Sequence, residues 1–223
     1  MTITENLVRL TAADGFTFDA FMARPAATPK GGLVILQEIF GMTDQLKSVV
    51  RSYAENGYQT VLPALFDRVS PKTVVPFETP EVGRDIMLGV AREKAFLDID
   101  AAAKAVDTGK GVSVLGFCWG GGLALGAAGA LDLRCAIAFY GTRLLTFLDT
   151  PPNCPMLFHF GETDTANTPP ETIVAVKEAI PNAETYVYQA GHAFANDARK
   201  TYVAAAAIPA HERSLAFLDR YHG

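Results

Sequence analysis

The chain has 223 residues, of which 49% are hydrophobic and 19% charged, a balance that excludes intrinsic disorder and supplies enough apolar material for one sizeable core. With 19 Lys+Arg against 24 Asp+Glu the net charge is -5 and no basic tract is present, which argues against nucleic acid or an anionic membrane as partner. Three cysteines are too few, and odd in number, for a disulfide framework, so a reducing, cytoplasmic setting is expected.

The first ten residues carry Glu5 and no basic start before an apolar run, so no signal peptide is expected. Residues 7–10 and 16–21 alternate apolar and polar around Asp14-Gly15, which predicts a β-hairpin. After a Pro-, Ala- and Gly-rich loop, Leu33-Val34-Ile35-Leu36 reads as a strand buried on both faces. A helix over 44–56 closes at Asn56-Gly57, and a strand over 58–62 stops at Pro63. Pro63, Pro71, Pro76 and Pro80 make 63–80 a long irregular loop, followed by one long helix over 81–106.

Residues 111–131 carry no charge and are long enough for a membrane helix, but Gly120-Gly121-Gly122 points instead to a buried strand over 112–115, a glycine turn and a helix over 123–130. Strands over 135–140, 156–160 and 185–188 then alternate with a helix over 171–180, and a mostly helical tail over 196–221 has Pro209 as a kink. This alternation predicts an α/β fold: a mostly parallel sheet with helices on both faces, the N-terminal β-hairpin extending one edge. No repeat or linker appears, so residues 1–223 are read as a single domain.

The strongest local signal is Gly116-Phe117-Cys118-Trp119-Gly120 between the strand and the helix, a G-x-nucleophile-x-G elbow with Cys in the nucleophile position. The turn demands glycines where a side chain would strike backbone, and it sets Cys118 at a helix N-terminus, where the macrodipole favours thiolate. As a bare pattern, the same residues also fit a small buried Cys in a Gly-rich turn.

A nucleophilic Cys needs a base and an orienting acid, and behind an elbow these follow in the order acid, then His. His192, just past the last predicted strand, is the expected base. His159 lies inside an apolar strand and reads as a core histidine, while His211 and His222 fall on or after the tail helix, where a solvated face is the default. Asp164 in Gly161-Glu162-Thr163-Asp164 is the expected acid, with Glu162 its competitor. At the end of the strand over 33–36, Gln37-Glu38-Ile39-Phe40-Gly41 occupies the position whose loop gives one oxyanion-hole N–H; Ile39 would supply it and Trp119 the other. Glu38 is either a solvated strand terminus or a pocket carboxylate opposing the Cys118 thiolate.

Taken together, Gln37 to Gly41, Gly116 to Gly121, Asp164 and Gly191-His192-Ala193-Phe194 resemble the dienelactone hydrolases (carboxymethylenebutenolidases), over nearly the whole chain. The resemblance implies an α/β-hydrolase variant with no cofactor and no metal, acting as a monomer. It implies a Cys118–His192–Asp164 triad, with Glu38 pairing with the resting thiol and moving when substrate binds. The implied substrate is a small unsaturated lactone bearing a carboxylate, as arises in aromatic-compound degradation.

Two arginines hold that carboxylate in the family. Arg84 matches one; Asn196 stands where the second is expected, Ala193 where a Ser often follows the His, and Ala91 where a pocket Trp is expected. Arg143 is a candidate replacement cation. The same residues also admit a broader carboxylesterase or thioesterase, or a redox-sensing thiol protein on the same fold.

Overall fold

Asp14-Gly15 does turn a hairpin: Asp14 Oδ1 accepts the Phe16 N–H at 3.3 Å, and Gly15 takes φ 82°. The strands it joins, β1 (Ile3–Thr11) and β2 (Thr17–Pro25), pair antiparallel and are longer than the alternation alone indicated. The computed structural model describes residues 2–222, and the chain divides into two compact units, Met1–Ser113 and Val114–Gly223.

In the first unit β2 also pairs antiparallel with β4 (Gln59–Pro63), and β3 (Gly32–Leu36) pairs parallel with β4, giving the order β1-β2-β4-β3. Every residue of β3 is buried, as a strand covered on both faces requires. Helix α1 (Asp44–Glu55) starts at Thr43, whose hydroxyl accepts the Leu46 N–H at 3.2 Å, and buries Leu46, Val49, Val50 and Tyr53.

The loop over 63–80 contains a short 3-10 turn, Leu65–Arg68, that sequence periodicity is too short to reveal. The single helix expected over 81–106 is two: α2 (Pro80–Gly89) and α3 (Arg92–Val106). Val90 and Ala91 are extended between them, and Gly89 packs against the Val69 side chain with no room for a Cβ to spare.

The second unit takes nearly all of β5 (Val112–Phe117), then α4 (Trp119–Ala130), β6 (Ala136–Phe139), β7 (Met156–Gly161), α5 (Pro170–Ala179), β8 (Glu184–Tyr188) and α6 (Ala204–His222). Its strands run parallel in the order β5-β6-β7-β8, so their C-terminal ends share one edge, where ligand sites form in such sheets. Phe158, Phe160, Leu125 and Val176 are among the residues that fill the core behind them. The tail becomes helical only at Ala204, and Pro209 lies inside α6. Among the described residues no helix is long and apolar enough to cross a membrane; the uncharged stretch is β5, the turn at Cys118 and α4.

Candidate active site

Cys118 stands between the last residue of β5 and the first of α4, with φ 53° and ψ -116°. That backbone costs roughly 1–3 kcal/mol and persists only when its surroundings over-determine it. They do: Cys118 N–H donates to the Phe139 carbonyl at 3.0 Å, and its own carbonyl accepts from Gly121 (3.0 Å), Gly122 (3.3 Å) and Thr142 (3.0 Å). A Cβ on Gly116 would lie 1.9 Å from the Gly120 carbonyl oxygen, so the strand can double back into the helix only with glycine there. Cys118, 7% exposed, sits at the positive end of α4. Trp119, the first residue of α4, starts the helix at that same end.

His192 follows β8, and its Nδ1 lies 2.6 Å from Asp164 Oδ2. The imidazole also hydrogen-bonds Cys118, so the second unit brings Cys118, His192 and Asp164 together. With Nδ1–H donated to the carboxylate, Nε2 is the nitrogen left for the sulfur. The Tyr140 ring stands edge-on to His192 at 5.2 Å, and Ala193 takes φ 61° directly after it. Asp164 follows β7 and is buried; its Oδ1 accepts Asn167 Nδ2 at 2.8 Å and its Oδ2 accepts Thr168 Oγ1 at 3.3 Å. Glu162 is exposed.

The electrostatics follow from this packing. Burial opposes an imidazolium at His192, but the charge of the Cys118 sulfur and the hydrogen bonds to Asp164 and Cys118 outweigh it and raise the pKa to about 10. Burial likewise opposes the Asp164 carboxylate, yet His192, Asn167 and Thr168 together hold it below the usual value. The arrangement favours a proton on His192 and negative charge on Asp164, the pairing that orients a catalytic imidazole.

Glu38, Ile39 and Arg84 lie in the first unit. Glu38 is buried at 2% exposure, not at a solvated strand end. Its loop is pinned: Gln37 Nε2 donates to the Glu38 carbonyl at 3.2 Å, Gln37 Oε1 accepts the Leu65 N–H at 3.1 Å, and the Phe40 carbonyl accepts the Val75 N–H at 3.0 Å. Arg84 is exposed on α2 and has no ion pair among the described residues. Its neighbour Gly83 touches the loop so closely that a Cβ would fall 1.8 Å from the Ile39 carbonyl oxygen, so α2 abuts the Ile39 backbone.

In the second unit Arg143 is exposed, takes φ 57°, and follows Thr142, whose N–H binds the Cys118 carbonyl. Asn196 is buried, with its Oδ1 accepting the Ala198 N–H at 3.1 Å.

His159 is a core histidine with both ring nitrogens hydrogen-bonded, as its strand position implied. His211 departs from the solvated face expected of it. Its ring packs 4.9 Å from that of Phe139, and burial pushes its pKa down to about 4. Sequence reasoning missed Tyr140, Asn167 and Thr168 around the His192–Asp164 pair. Only a Tyr-Gly at a strand end hinted at Tyr140, and nothing local marked the other two. Among the described residues no three His, Cys, Asp or Glu side chains are grouped so as to hold a metal ion.

Comparison with known proteins identifies the family of the chain. The profile of the Dienelactone hydrolase family matches residues 18–222. A carboxymethylenebutenolidase of Pseudomonas putida is 32% identical over 95% of this chain and 94% of its own length. Carboxymethylenebutenolidase 1 of Cupriavidus pinatubonensis is 30% identical over 95% of each. A crystal structure from Klebsiella pneumoniae subsp. pneumoniae MGH 78578, provisionally assigned as a dienelactone hydrolase, superposes with a TM-score of 0.86 at 27% identity, covering 99% of this chain and 100% of that one. With its parallel strands, its elbow and its matched length, this chain belongs to the dienelactone hydrolase family.

Proposed function

We propose that the protein opens a small, carboxylate-bearing lactone or activated enol ester through an acyl thioester on Cys118. One observation carries this reading: the His192 side chain is hydrogen-bonded both to Asp164, at 2.6 Å, and to Cys118 at the strained start of α4. The Cys118 thiolate adds to the substrate carbonyl carbon, and the oxyanion is met by the backbone N–H groups of Trp119 and Ile39. The C–O bond to the enol oxygen then breaks, that oxygen takes the His192 proton, and the acyl group remains on sulfur. Water gives a proton to His192 and attacks the thioester; C–S cleavage releases the carboxylic acid and restores the thiolate. The proton that leaves with the enol is replaced by one from water, and no cofactor is drawn upon.

Glu38 acts as the carboxylate that keeps the resting thiol protonated, in keeping with its burial; when substrate binds it moves away and the thiol proton passes to His192, which yields the attacking thiolate. Arg84 and Arg143, exposed and without ion pairs among the described residues, receive the substrate carboxylate. The redox-sensor alternative is weaker. Cys135 is fully buried, and burial, followed by the charge of Asp132, pushes the Cys154 thiol up to about 11, so neither suits a resolving thiolate.

The test is hydrolysis of a panel of enol lactones and aryl esters by the purified protein and by Cys118→Ala. Turnover by the wild type, lost in the variant, supports the reading; undiminished turnover by Cys118→Ala removes Cys118 from it. Glu38→Gln should make Cys118 alkylation by iodoacetamide faster near pH 6, and an unchanged profile would detach Glu38 from the thiol.

A further inference from the structure

A chain of polar side chains runs from Arg213, exposed on α6, into the core at His159 and Ser214, and the proposed mechanism does not use it. Arg213 Nη1 donates to Tyr188 Oη at 2.9 Å, Tyr188 Oη is 2.9 Å from His159 Nδ1, and His159 Nε2 is 3.0 Å from Ser214 Oγ. Ser214 in turn donates to the Ala210 carbonyl at 2.8 Å. That last bond orients the rest. With its proton committed to Ala210, the Ser214 oxygen must accept from His159 Nε2–H, so Nδ1 is the acceptor and the Tyr188 hydroxyl donates to it. All four links then run in one direction, with a neutral imidazole in the middle. His159 and Ser214 are completely buried, and Tyr188 is 8% exposed.

Tyr188 is also the last residue of β8, four before His192. Its carbonyl accepts two backbone N–H groups, from Glu162 at 2.8 Å and from Ala190 at 2.7 Å. Glu162 begins the turn that carries Asp164; Ala190 begins the turn that carries His192. A further bond, Thr163 N–H to the Ala190 carbonyl at 3.0 Å, ties the two turns together. On its ring side Tyr188 lies 5.2 Å from Phe194, two residues past His192, and Phe194 lies 5.3 Å from the Tyr140 ring that faces His192.

We propose that Tyr188 is a positioning residue for the Asp164–His192 pair: its carbonyl clamps the two turns together, and its hydroxyl, held between Arg213 and His159, fixes where that carbonyl stands. The proposal rests on the reading of Asp164 and His192 as the working pair. Sequence gives no sign of it, because the hydroxyl's partners come from β7 and α6.

The test is Tyr188→Phe, which keeps the ring and the clamping carbonyl and deletes only the hydroxyl. A misplacement of the pair by a fraction of an ångström should lower kcat by about 10- to 100-fold with KM within roughly twofold. The pH midpoint of Cys118 alkylation by iodoacetamide should move as well, since it reports the contact between Cys118 and His192. A merely structural tyrosine would lower the melting temperature and leave that midpoint where it is in the folded protein.

Ser214→Ala breaks the same chain at its far end and serves if Tyr188→Phe does not fold; it should move the midpoint in the same direction with a smaller kcat loss. Wild-type kcat and an unmoved midpoint, in folded Tyr188→Phe or, failing that, in Ser214→Ala, overturn the proposal. A wild-type protein that hydrolyses nothing in the panel, or a fully active Cys118→Ala, strikes the reading of the site instead. In that case the midpoint still measures whether Tyr188 holds the pair.

Discussion

Each compact unit buries a cluster of charge, and the two are built to opposite ends. In the first unit Arg68 grips Asp98 with two bonds, Nη2 to Oδ1 at 2.7 Å and Nε to Oδ2 at 2.9 Å, and reaches Asp14 with Nη1 at 2.9 Å. Lys94 adds a bond to Asp14 at 2.8 Å, and the guanidinium lies 4.3 Å from the centre of the Phe16 ring. The hairpin turn, the 3-10 turn and α3 are thereby tied at one point. Its central cation does not lose its proton, and both of its carboxylate partners are taken.

In the second unit the Asp164 carboxylate meets a histidine, a group whose proton can leave, and that histidine faces a sulfur on a strained backbone. Burial is the largest single influence on both Asp98 and Asp164, and it wins at Asp98, whose carboxyl is raised, but loses at Asp164, whose carboxyl is lowered. Burial of charge therefore does not separate a structural cluster from a chemical one. A mobile proton and a reactive atom beside it do.

The sharpest way to break this contrast is to delete each centre. Cys118→Ala and His192→Ala should each cut kcat by roughly a thousandfold or more, and the double variant should be little worse, because such residues act as a unit. The melting temperature of Cys118→Ala should stay close to wild type. Additive losses, or a large fall in melting temperature, would make this cluster structural too.

Arg68→Met should do the reverse. It leaves Asp98 buried without its partner, at a cost of about 3–5 kcal/mol in unfolding free energy by urea titration, with kcat per folded molecule unchanged. Adding Asp98→Leu should recover much of that loss; if it does not, packing rather than charge explains the site.

Next in size is substrate charge. Arg84→Ala should lower kcat/KM for a carboxylate-bearing lactone by roughly 10- to 150-fold, as the loss of one charge-assisted hydrogen bond implies, and leave a neutral aryl ester almost unaffected. Equal slowing of both substrates would mean that Arg84 supports α2 and not the substrate.

The smallest effect is on stability against pH. The folded pKa of His192, about 10, lies above its ordinary 6.5, so the stability contributed by the imidazolium is complete below about pH 6.5 and fades as pH rises through about 10. The gap in melting temperature between wild type and His192→Gln should thus narrow from pH 6.5 to pH 10.5. The gap between wild type and Arg68→Met should not change over that range. A His192 gap that stays constant would show that its proton is not stabilised by folding.

How much of this was legible in the sequence depends on how local the cause is. Asp14-Gly15 announces the hairpin because the turn is made by those two residues. The elbow around Cys118 announces itself because only glycine tolerates the approach of Gly116 to Gly120. Asp164 and His192 are legible through their order behind the elbow and their places at strand ends, and the choice of Asp164 over Glu162 becomes visible once burial is known. The break between α2 and α3 is not legible: Val90 and Ala91 carry no breaker, and the interruption coincides with Gly89 packing on Val69, twenty residues earlier. His211 misleads because Glu212 and Arg213 follow it, while its ring packs against Phe139 from another element.

The helix that carries Cys118 has a consequence for how the protein comes to be folded. Its sequence, WGGGLALGAAGA, places five glycines in twelve residues, and each costs about 1 kcal/mol of helix stability relative to alanine. Such a segment cannot hold helical form until the strands beside it are in place, so α4 belongs to the late part of the folding reaction and the nucleophile is assembled after its scaffold. Ala127→Gly, at a fully buried position of α4, should then speed unfolding and leave the folding rate nearly unchanged in a chevron measurement. A slower folding limb would place α4 in the nucleus and reverse that order of assembly.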